Sequence, residues 1–145
     1  MLPAPLYCDT SALLKLYLRE SGSEEFNALT EGRDDVLVSE LTVTEAVSAL
    51  ARHLRQGSIT REAVGRIRHA IVRGLDDGTY RRVDLTPEVH RRAEHLLVSR
   101  TEIPLRAADA LHLALAMSVR AASLASFDRR LSSAARAVGL ATYPH

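Results

Sequence analysis

Short apolar runs alternate with longer segments of helical periodicity along the whole chain. The runs are too short to be helices, whereas the segments between them carry apolar residues at three- and four-residue spacing. Strands are predicted over residues 6–8, 36–38, 80–85 and 123–126, with a short last strand over 140–142. Because a helical segment separates each pair of runs, the pattern predicts an α/β fold: a three-layer α/β/α sandwich with a central parallel sheet.

Start and stop signals divide the helical segments. Ser21 with Glu24 has the spacing of a capping box for a short second helix, and Ser39 and Thr42 lie at the start of a long third helix that ends at Gly57. Helices are predicted over residues 10–17, 21–29, 39–57, 60–76, 86–99, 105–119 and 128–138.

A chain of 145 residues is long enough for a proper core, and we expect a single domain over residues 1–145. Hydrophobic residues make up 46% and charged residues 26%, as in ordinary globular proteins. The single cysteine, Cys8, excludes an internal disulfide and a cysteine-based metal cluster. No apolar run has membrane-spanning length and no signal-peptide pattern is present, so we expect a cytoplasmic protein with no membrane partner.

The net charge of +1 conceals an uneven distribution. Residues 1–50 carry nine acidic and three basic side chains, whereas residues 51–92 carry ten arginines and five acidic side chains. An acidic segment followed by an arginine-rich one is compatible with a metal site beside a phosphate-binding surface. Solvated helix faces would give the same counts, so the charges alone leave both interpretations open.

Four acidic residues stand out because of their positions relative to the predicted elements. Asp9 and Asp128 each follow a predicted strand, and Glu45 lies just inside the helix after the second strand. Asp109 lies on an otherwise apolar face of the helix over 105–119, where an unpaired charge is costly. Because junctions that follow parallel strands lie along one edge of a sheet, we expect the four carboxylates to meet there.

Converging carboxylates repel one another and raise one another's pKa values unless a cation lies between them. Oxygen ligands without histidine or cysteine suit Mg²⁺ or Mn²⁺, which can activate water and stabilise a leaving oxygen in phosphodiester cleavage. The hydroxyls of Thr10, Ser11 and Ser126 are expected to orient these ligands. Arg106 is the arginine that we expect to contact phosphate.

Several residues of the predicted helices and junctions also have a purely structural interpretation. Asp9 and Asp128 are common N-cap types, and Thr42 with Glu45 has the spacing of a capping box. His112, which shares the apolar face of its helix, is interpreted as a buried, hydrogen-bonded histidine rather than a metal ligand. The occurrence of four acids together at such junctions favours the functional interpretation.

The same residues resemble the PIN-domain ribonucleases, and most closely the VapC-type toxins of bacterial toxin–antitoxin pairs. The resemblance covers nearly the whole chain in four ordered blocks: YCDTSAL at 7–13, SELTVTE at 39–45, LRAADALH at 105–112 and SFDRRL at 126–131. The third block is the most specific of the four.

The resemblance implies that Asp9, Glu45, Asp109 and Asp128 are the catalytic, metal-binding quartet, with Asp9 and Asp109 as the surest Mg²⁺ ligands. It also implies a homodimer, an antitoxin protein that wraps the toxin and blocks its site, and a specific RNA substrate such as tRNA or rRNA. The fourth acid is the one that varies most in position among such proteins, and Asp128 in the SFDRRL block is the residue of this chain that corresponds to it.

Other classes of protein also place an aspartate after a first strand. A receiver domain needs a lysine after a late strand, but the only lysine is Lys15; a haloacid dehalogenase needs an aspartate where this chain has Ser11. A non-catalytic RNA- or protein-binding domain stays open, because a fold does not prove an activity. The hypothesis is a Mg²⁺-dependent endoribonuclease acting as a toxin, with the binding domain as the alternative.

Overall fold

Five strands and seven helices make up the computed structural model, which describes all 145 residues. The strands are β1 (Leu6–Cys8), β2 (Val36–Ser39), β3 (Arg81–Val83), β4 (Ser123–Ala125) and β5 (Ala141–Tyr143). The helices are α1 (Thr10–Lys15), α2 (Ser23–Thr30), α3 (Glu40–Arg55), α4 (Arg61–Asp76), α5 (Pro87–Ser99), α6 (Ala107–Ser118) and α7 (Arg129–Ala137). The predicted order of elements is confirmed, including the short fifth strand.

The five strands form one parallel sheet in the order β3-β2-β1-β4-β5. The first strand is central: Tyr7 is in register with Leu37 of β2 on one side and Leu124 of β4 on the other. The chain builds outward from β1 to β3 and then returns to add β4 on the opposite side. Open parallel sheets bind ligands in the crevice at such a reversal, beyond the carboxyl ends of the strands.

The two faces of the sheet are covered by different helices. Successive strand residues point to opposite faces, so Leu6 and Cys8 of β1 pack in the core beneath α1, α2, α3 and α4, while Tyr7 packs in the core beneath α5, α6 and α7. This arrangement confirms the predicted α/β/α sandwich. None of the helices combines the length and the apolar character that a membrane crossing requires.

The start of α2 differs from its prediction. The helix begins after Gly22, whose φ of +88° lies in the left-handed region, and no side chain caps it, so the predicted Ser21–Glu24 capping box is wrong. A Cβ atom at Gly22 would lie 3.2 Å from the Phe127 ring, which leaves little room for another residue. The chain enters α2 through a glycine turn, and the Ser23 hydroxyl bonds back to a backbone carbonyl instead.

A nearly buried ion pair fixes the segment before β2. Arg33 donates two hydrogen bonds to the Asp35 carboxylate, at 2.9 and 2.7 Å, and a third to the Leu2 carbonyl at 3.2 Å. These bonds tie the N-terminal segment to the β2 side of the sheet. The hydrogen bond and charge of Arg33 hold the pKa of Asp35 below its ordinary value.

We expect Asp35→Asn to lower the free energy of unfolding by about 2 kcal/mol at pH 7, because Arg33 loses its charged partner. A lowered folded-state pKa contributes stability above the unfolded pKa, about 4, and that contribution is lost as the pH falls through the folded-state value. Urea unfolding at pH 7 and pH 3 tests this prediction. An equal difference between wild type and Asp35→Asn at both pH values would contradict it.

Candidate active site

The four singled-out acids line one cleft at the carboxyl edge of the sheet. The cleft has a volume of about 490 Å³ and contains Asp9, Glu45, Asp109 and Asp128 in its lining. A larger cavity of about 820 Å³ lies beside α1 and α2, but none of these four acids lines it. The convergence of acids therefore identifies the smaller cleft as the chemically distinctive one.

Asp9 lies at the floor of the cleft, directly after β1. It is the N-cap of α1, and its Oδ1 accepts hydrogen bonds from the Ala12 backbone N–H at 2.9 Å and the Ser11 hydroxyl at 2.7 Å. Its Oδ2 accepts from the Ser126 hydroxyl at 2.6 Å. The structural and functional interpretations of Asp9 are therefore compatible, since the residue caps a helix and lines the cleft.

Burial raises the pKa of Asp9 above its ordinary value, although the charge of His112 and the three hydrogen bonds oppose that effect. Asp9 is only 5% exposed. A buried negative charge held by neutral donors gains stability from a nearby cation.

Two hydroxyls connect Asp9 to the turn between β4 and α7. Ser11 accepts a hydrogen bond from the Phe127 backbone N–H at 2.8 Å, and Ser126 accepts one from the Asp128 backbone N–H at 3.0 Å. Each hydroxyl thus donates to Asp9 while accepting from the turn. These serines, predicted from the sequence to orient carboxylates, contact Asp9 directly.

Glu45 reaches the cleft from the second turn of α3. Its Oε1 accepts hydrogen bonds from the Thr10 hydroxyl at 2.7 Å and from Nε2 of His112. The alternative in which Thr42 and Glu45 form a capping box is wrong, because Ser39 is the N-cap of α3 and accepts from the Thr42 backbone N–H. The helix starts one turn earlier than that alternative requires, which frees Glu45 for the cleft.

The pKa of Glu45 lies below its ordinary value. Burial raises it, but the hydrogen bond and charge of His112, the bond from Thr10 and the charge of Arg106 together outweigh burial. The side chain, 31% exposed, is therefore ionised at neutral pH and only accepts hydrogen bonds.

Asp109 and Asp128 are joined by Arg106. Asp109 lies in the first turn of α6, and its Oδ2 accepts from the Arg106 backbone N–H at 3.0 Å and from its Nε at 3.4 Å. The same guanidinium donates from Nη2 to Oδ2 of Asp128 at 3.2 Å. Asp128 also caps α7 through Oδ1, which accepts from the Arg130 backbone N–H.

Basic side chains form part of the same lining. Lys15, Arg52, His53 and Arg106 all line the cleft. Lys15 is paired with Glu20 at 3.1 Å, and Arg106 is paired with two aspartates as described. Arg52 is exposed and forms no ion pair, so it is the arginine of the cleft that is free to meet an anion.

The cleft offers the type of ligand atom that a hard divalent cation prefers. All four acids offer carboxylate oxygens, and Oε2 of Glu45 and Oδ1 of Asp109 accept no hydrogen bond from the protein. With the side chains placed as they are, no three histidine, cysteine, aspartate or glutamate residues are grouped to hold a metal ion. Arg106 supplies the positive charge between two of the aspartates, so an ion that used both would have to displace this guanidinium.

The sequence located the acids and hydroxyls of the cleft but did not foresee the contact of His112 with Glu45. His112 was expected to be buried and hydrogen-bonded, as it is, and its partner proves to be one of the four acids. The sequence did not distinguish Arg52 from the other arginines of residues 51–92, whose counts solvated helix faces also explain. The position of Arg52 seven residues after Glu45, two helical turns along one face of α3, was the signal that could have placed it in the cleft.

The chain is similar to known proteins along nearly its whole length. Residues 6–137 match the family model of the PIN domain. Over 143 residues the chain is 36% identical to Ribonuclease VapC45 of Mycobacterium tuberculosis, covering 96% of this chain and 94% of that protein.

Two solved structures share the fold. The crystal structure of Mycobacterium tuberculosis VapC20, a sarcin-ricin loop cleaving toxin, matches with a TM-score of 0.72 at 20% identity, over 89% of this chain and 94% of that one. A toxin–antitoxin complex from Klebsiella pneumoniae matches with a TM-score of 0.61 at 19% identity, over 88% of this chain and 90% of that one. At these identities the two structures bear on the fold alone.

Proposed function

Because the chain belongs to the PIN-domain family and, within it, to the VapC-type ribonucleases, we propose that it is a metal-dependent endoribonuclease and the toxin of a toxin–antitoxin pair. The observation that carries the proposal is the meeting of four carboxylates, from four separate places in the chain, in one cleft. Asp9, Glu45, Asp109 and Asp128 are the residues that we assign to catalysis and to binding Mg²⁺ or Mn²⁺. Family membership supports RNA cleavage, and the all-oxygen donor set supports the metal.

The proposed reaction is hydrolysis of an RNA phosphodiester. The oxygen of a water molecule bonds to phosphorus and the water gives up a proton, while the bond from phosphorus to one ribose oxygen breaks and that oxygen takes up a proton. A bound divalent ion would supply a Lewis acid that stabilises the charge on the phosphate and acidifies a water molecule. Asp9 and Asp109, the two buried carboxylates, would hold the ion, and the more exposed Glu45 and Asp128 would complete the set.

The remaining polar side chains orient these groups. Ser11 and Ser126 donate to the two oxygens of Asp9 and fix its plane, and Thr10 donates to Glu45. Arg106, whose side chain is 62% exposed, lies beside the acids at the cleft surface and is placed to contact the phosphate of a bound RNA. When RNA binds, the Arg106 guanidinium would exchange a carboxylate partner for the phosphate.

The proposed partners follow from the family. They are an RNA substrate, with tRNA or rRNA as the class, an antitoxin protein that covers the cleft, and a second copy of the chain in a homodimer. We propose a cytoplasmic location, which agrees with the free, buried thiol of Cys8.

The test of the function is incubation of purified, antitoxin-free protein with total cellular RNA in the presence of Mg²⁺, Mn²⁺ or a chelator. We expect discrete RNA fragments with either metal and intact RNA with the chelator. Mapping the new RNA ends identifies the substrate. If the folded protein binds RNA but leaves it intact with both Mg²⁺ and Mn²⁺, the assignment as an enzyme is wrong and a binding domain is supported instead.

We expect Arg52→Ala to weaken RNA binding about 3- to 10-fold, because Arg52 is the unpaired cation of the cleft. Binding is measured in chelator, so that cleavage does not interfere, at several salt concentrations. Loss of one phosphate contact should reduce the slope of log affinity against log salt by about 0.7 for single-stranded RNA.

Arg92→Ala provides the matched control for this binding measurement. Arg92 is also exposed and unpaired, but it lies on α5, outside the cleft lining. If both variants weaken binding equally, the basic surface acts by overall charge and the assignment of Arg52 is wrong.

A further inference from the structure

His112 connects the core of the protein to the cleft. It lies in α6, three residues after Asp109, and is only 3% exposed. Its Nδ1 is 2.7 Å from the Tyr7 hydroxyl, and its Nε2 bonds to Oε1 of Glu45. The imidazole therefore spans from the central strand to an acid on α3 that is 67 positions away in the sequence.

The two hydrogen-bond partners of His112 show which ring nitrogen faces Glu45. A carboxylate oxygen of Glu45 accepts hydrogen bonds, so Nε2 of His112 carries a hydrogen and donates it to Oε1. The Tyr7 hydroxyl forms the second hydrogen bond of the ring, at 2.7 Å from Nδ1. Both nitrogens thus have partners, and the plane of the ring is set from two sides.

The consequence for Glu45 is that its two oxygens become unequal. Oε1 receives two hydrogen bonds, from Thr10 and His112, whereas Oε2 receives none from the protein. A glutamate that is 31% exposed would otherwise sample several side-chain conformations in water. The two donors hold it in one of them and leave Oε2 available to the cleft.

The geometry points to His112 as a positioning residue for Glu45: its Nε2–H holds Oε1 so that Oε2 faces an ion or a water molecule in the cleft. This inference rests on the proposed function, and it differs from the interpretation of His112 as a buried histidine with a purely structural role. Hydrogen-bond donors behind metal ligands affect metal affinity or activity by about 10- to 100-fold when they are removed.

Two substitutions at position 112 separate the two hydrogen bonds of the ring. Gln places a side-chain N–H near the position of Nε2, so His112→Gln keeps the donor to Glu45 and loses the partner of Tyr7. Asn reaches only as far as Nδ1, so His112→Asn keeps the contact with Tyr7 and loses the donor to Glu45. The two variants are matched, because each replaces the ring by a primary amide.

The experiment measures Mn²⁺ affinity by calorimetry, RNA cleavage and thermal unfolding for the wild type and both variants. We expect His112→Asn to weaken Mn²⁺ binding and lower kcat by about 10-fold or more, while His112→Gln stays within about 3-fold of the wild type. In a Glu45→Gln background, His112→Asn should cost no further Mn²⁺ affinity, because the residue acts through Glu45.

The outcomes distinguish a failure of the inference about His112 from a failure of the proposed function. If the wild type binds Mn²⁺ and cuts RNA but the Asn and Gln variants lose affinity equally, His112 is structural and the inference is overturned. If His112→Asn does not fold, His112→Gln decides alone, since a folded Gln variant with a 10-fold loss overturns the inference. A wild type that neither binds Mn²⁺ nor cuts RNA overturns the proposed function, and the inference with it.

Discussion

Asp9→Asn is expected to reduce RNA cleavage on the order of 10³-fold, because the substitution removes the most buried charge of the proposed metal site. The amide keeps the shape of the carboxylate, and its oxygen can still accept from the Ala12 backbone N–H and the Ser11 hydroxyl. The Ser126 hydroxyl, which now donates to Asp9, would turn to accept from the new amide group. Cleavage rates at saturating Mg²⁺ measure the effect.

The same substitution is not expected to destabilise the metal-free protein. The pKa of Asp9 is raised by burial, so the folded state binds its proton more tightly than the unfolded state does. The ionised form therefore costs stability at every pH well above about 4, the ordinary aspartate value, and this cost disappears below it. At pH 7 in chelator, Asp9→Asn should unfold at a temperature no lower than that of the wild type.

Asp84→Asn is the matched control for Asp9→Asn. Asp84 follows β3 directly, as Asp9 follows β1, but it is exposed and does not line the cleft. We expect Asp84→Asn to cleave RNA at the wild-type rate. Equal losses in the two variants, or a wild-type rate in Asp9→Asn, would contradict the assignment of Asp9.

Phe26→Ala is expected to lower the free energy of unfolding by about 3–5 kcal/mol. The Phe26 side chain is fully buried, and its ring stacks on Tyr143 at a centroid distance of 5.5 Å and meets Phe127 edge to face at 6.2 Å. Removing the ring leaves a cavity where α2, β5 and the turn after β4 meet. Urea unfolding measures the loss, with m-values compared to detect a change in the unfolded state.

Two further variants bound the effect of Phe26→Ala. Phe26→Leu keeps most of the apolar volume and should cost clearly less than the alanine variant. Val98→Ala removes an exposed side chain on α5 and should change stability by less than about 0.5 kcal/mol. A Phe26→Ala variant as stable as Val98→Ala would contradict the packing described for this aromatic cluster.

Much of the fold follows from local sequence signals. The alternation of short apolar runs with helical segments is enough to predict a parallel sheet, since parallel strands need a crossover and helices supply it. The positions of Asp9 and Asp128 after β1 and β4 then place both at one edge of the sheet. Both residues are also N-caps, so the structural interpretation of each is correct, and it does not exclude a role in the cleft.

The errors arise where a local motif competes with its surroundings. The Ser21–Glu24 spacing suits a capping box, but α2 instead begins after Gly22, which lies close to Phe127, more than 100 residues away in sequence. In α3, Ser39 is the N-cap, three residues before Thr42. The helix therefore starts earlier than a Thr42–Glu45 capping box would require. Local spacing cannot decide between two capping residues that are three positions apart.

The contacts that organise the cleft could not be predicted, because they join distant parts of the chain. His112 meets Glu45 across 67 positions, and Arg106 meets Asp128 across 22. Periodicity showed that Asp109 lies on an apolar face and that it needs a partner, but it did not identify Arg106 as that partner. The roles of these residues in catalysis stay predictions until they are measured.

The most direct test of the central claim is the Mg²⁺ dependence of cleavage for the wild type and Asp109→Asn on the RNA fragment that the mapping identifies. Asp109 is buried, lines the cleft and has one oxygen without a hydrogen-bond partner. We predict cleavage by the wild type that rises with Mg²⁺ and saturates, is abolished by chelator and is absent in folded Asp109→Asn. Cleavage that persists in chelator, or in Asp109→Asn at the wild-type rate, would contradict a metal-dependent nuclease built on these four acids.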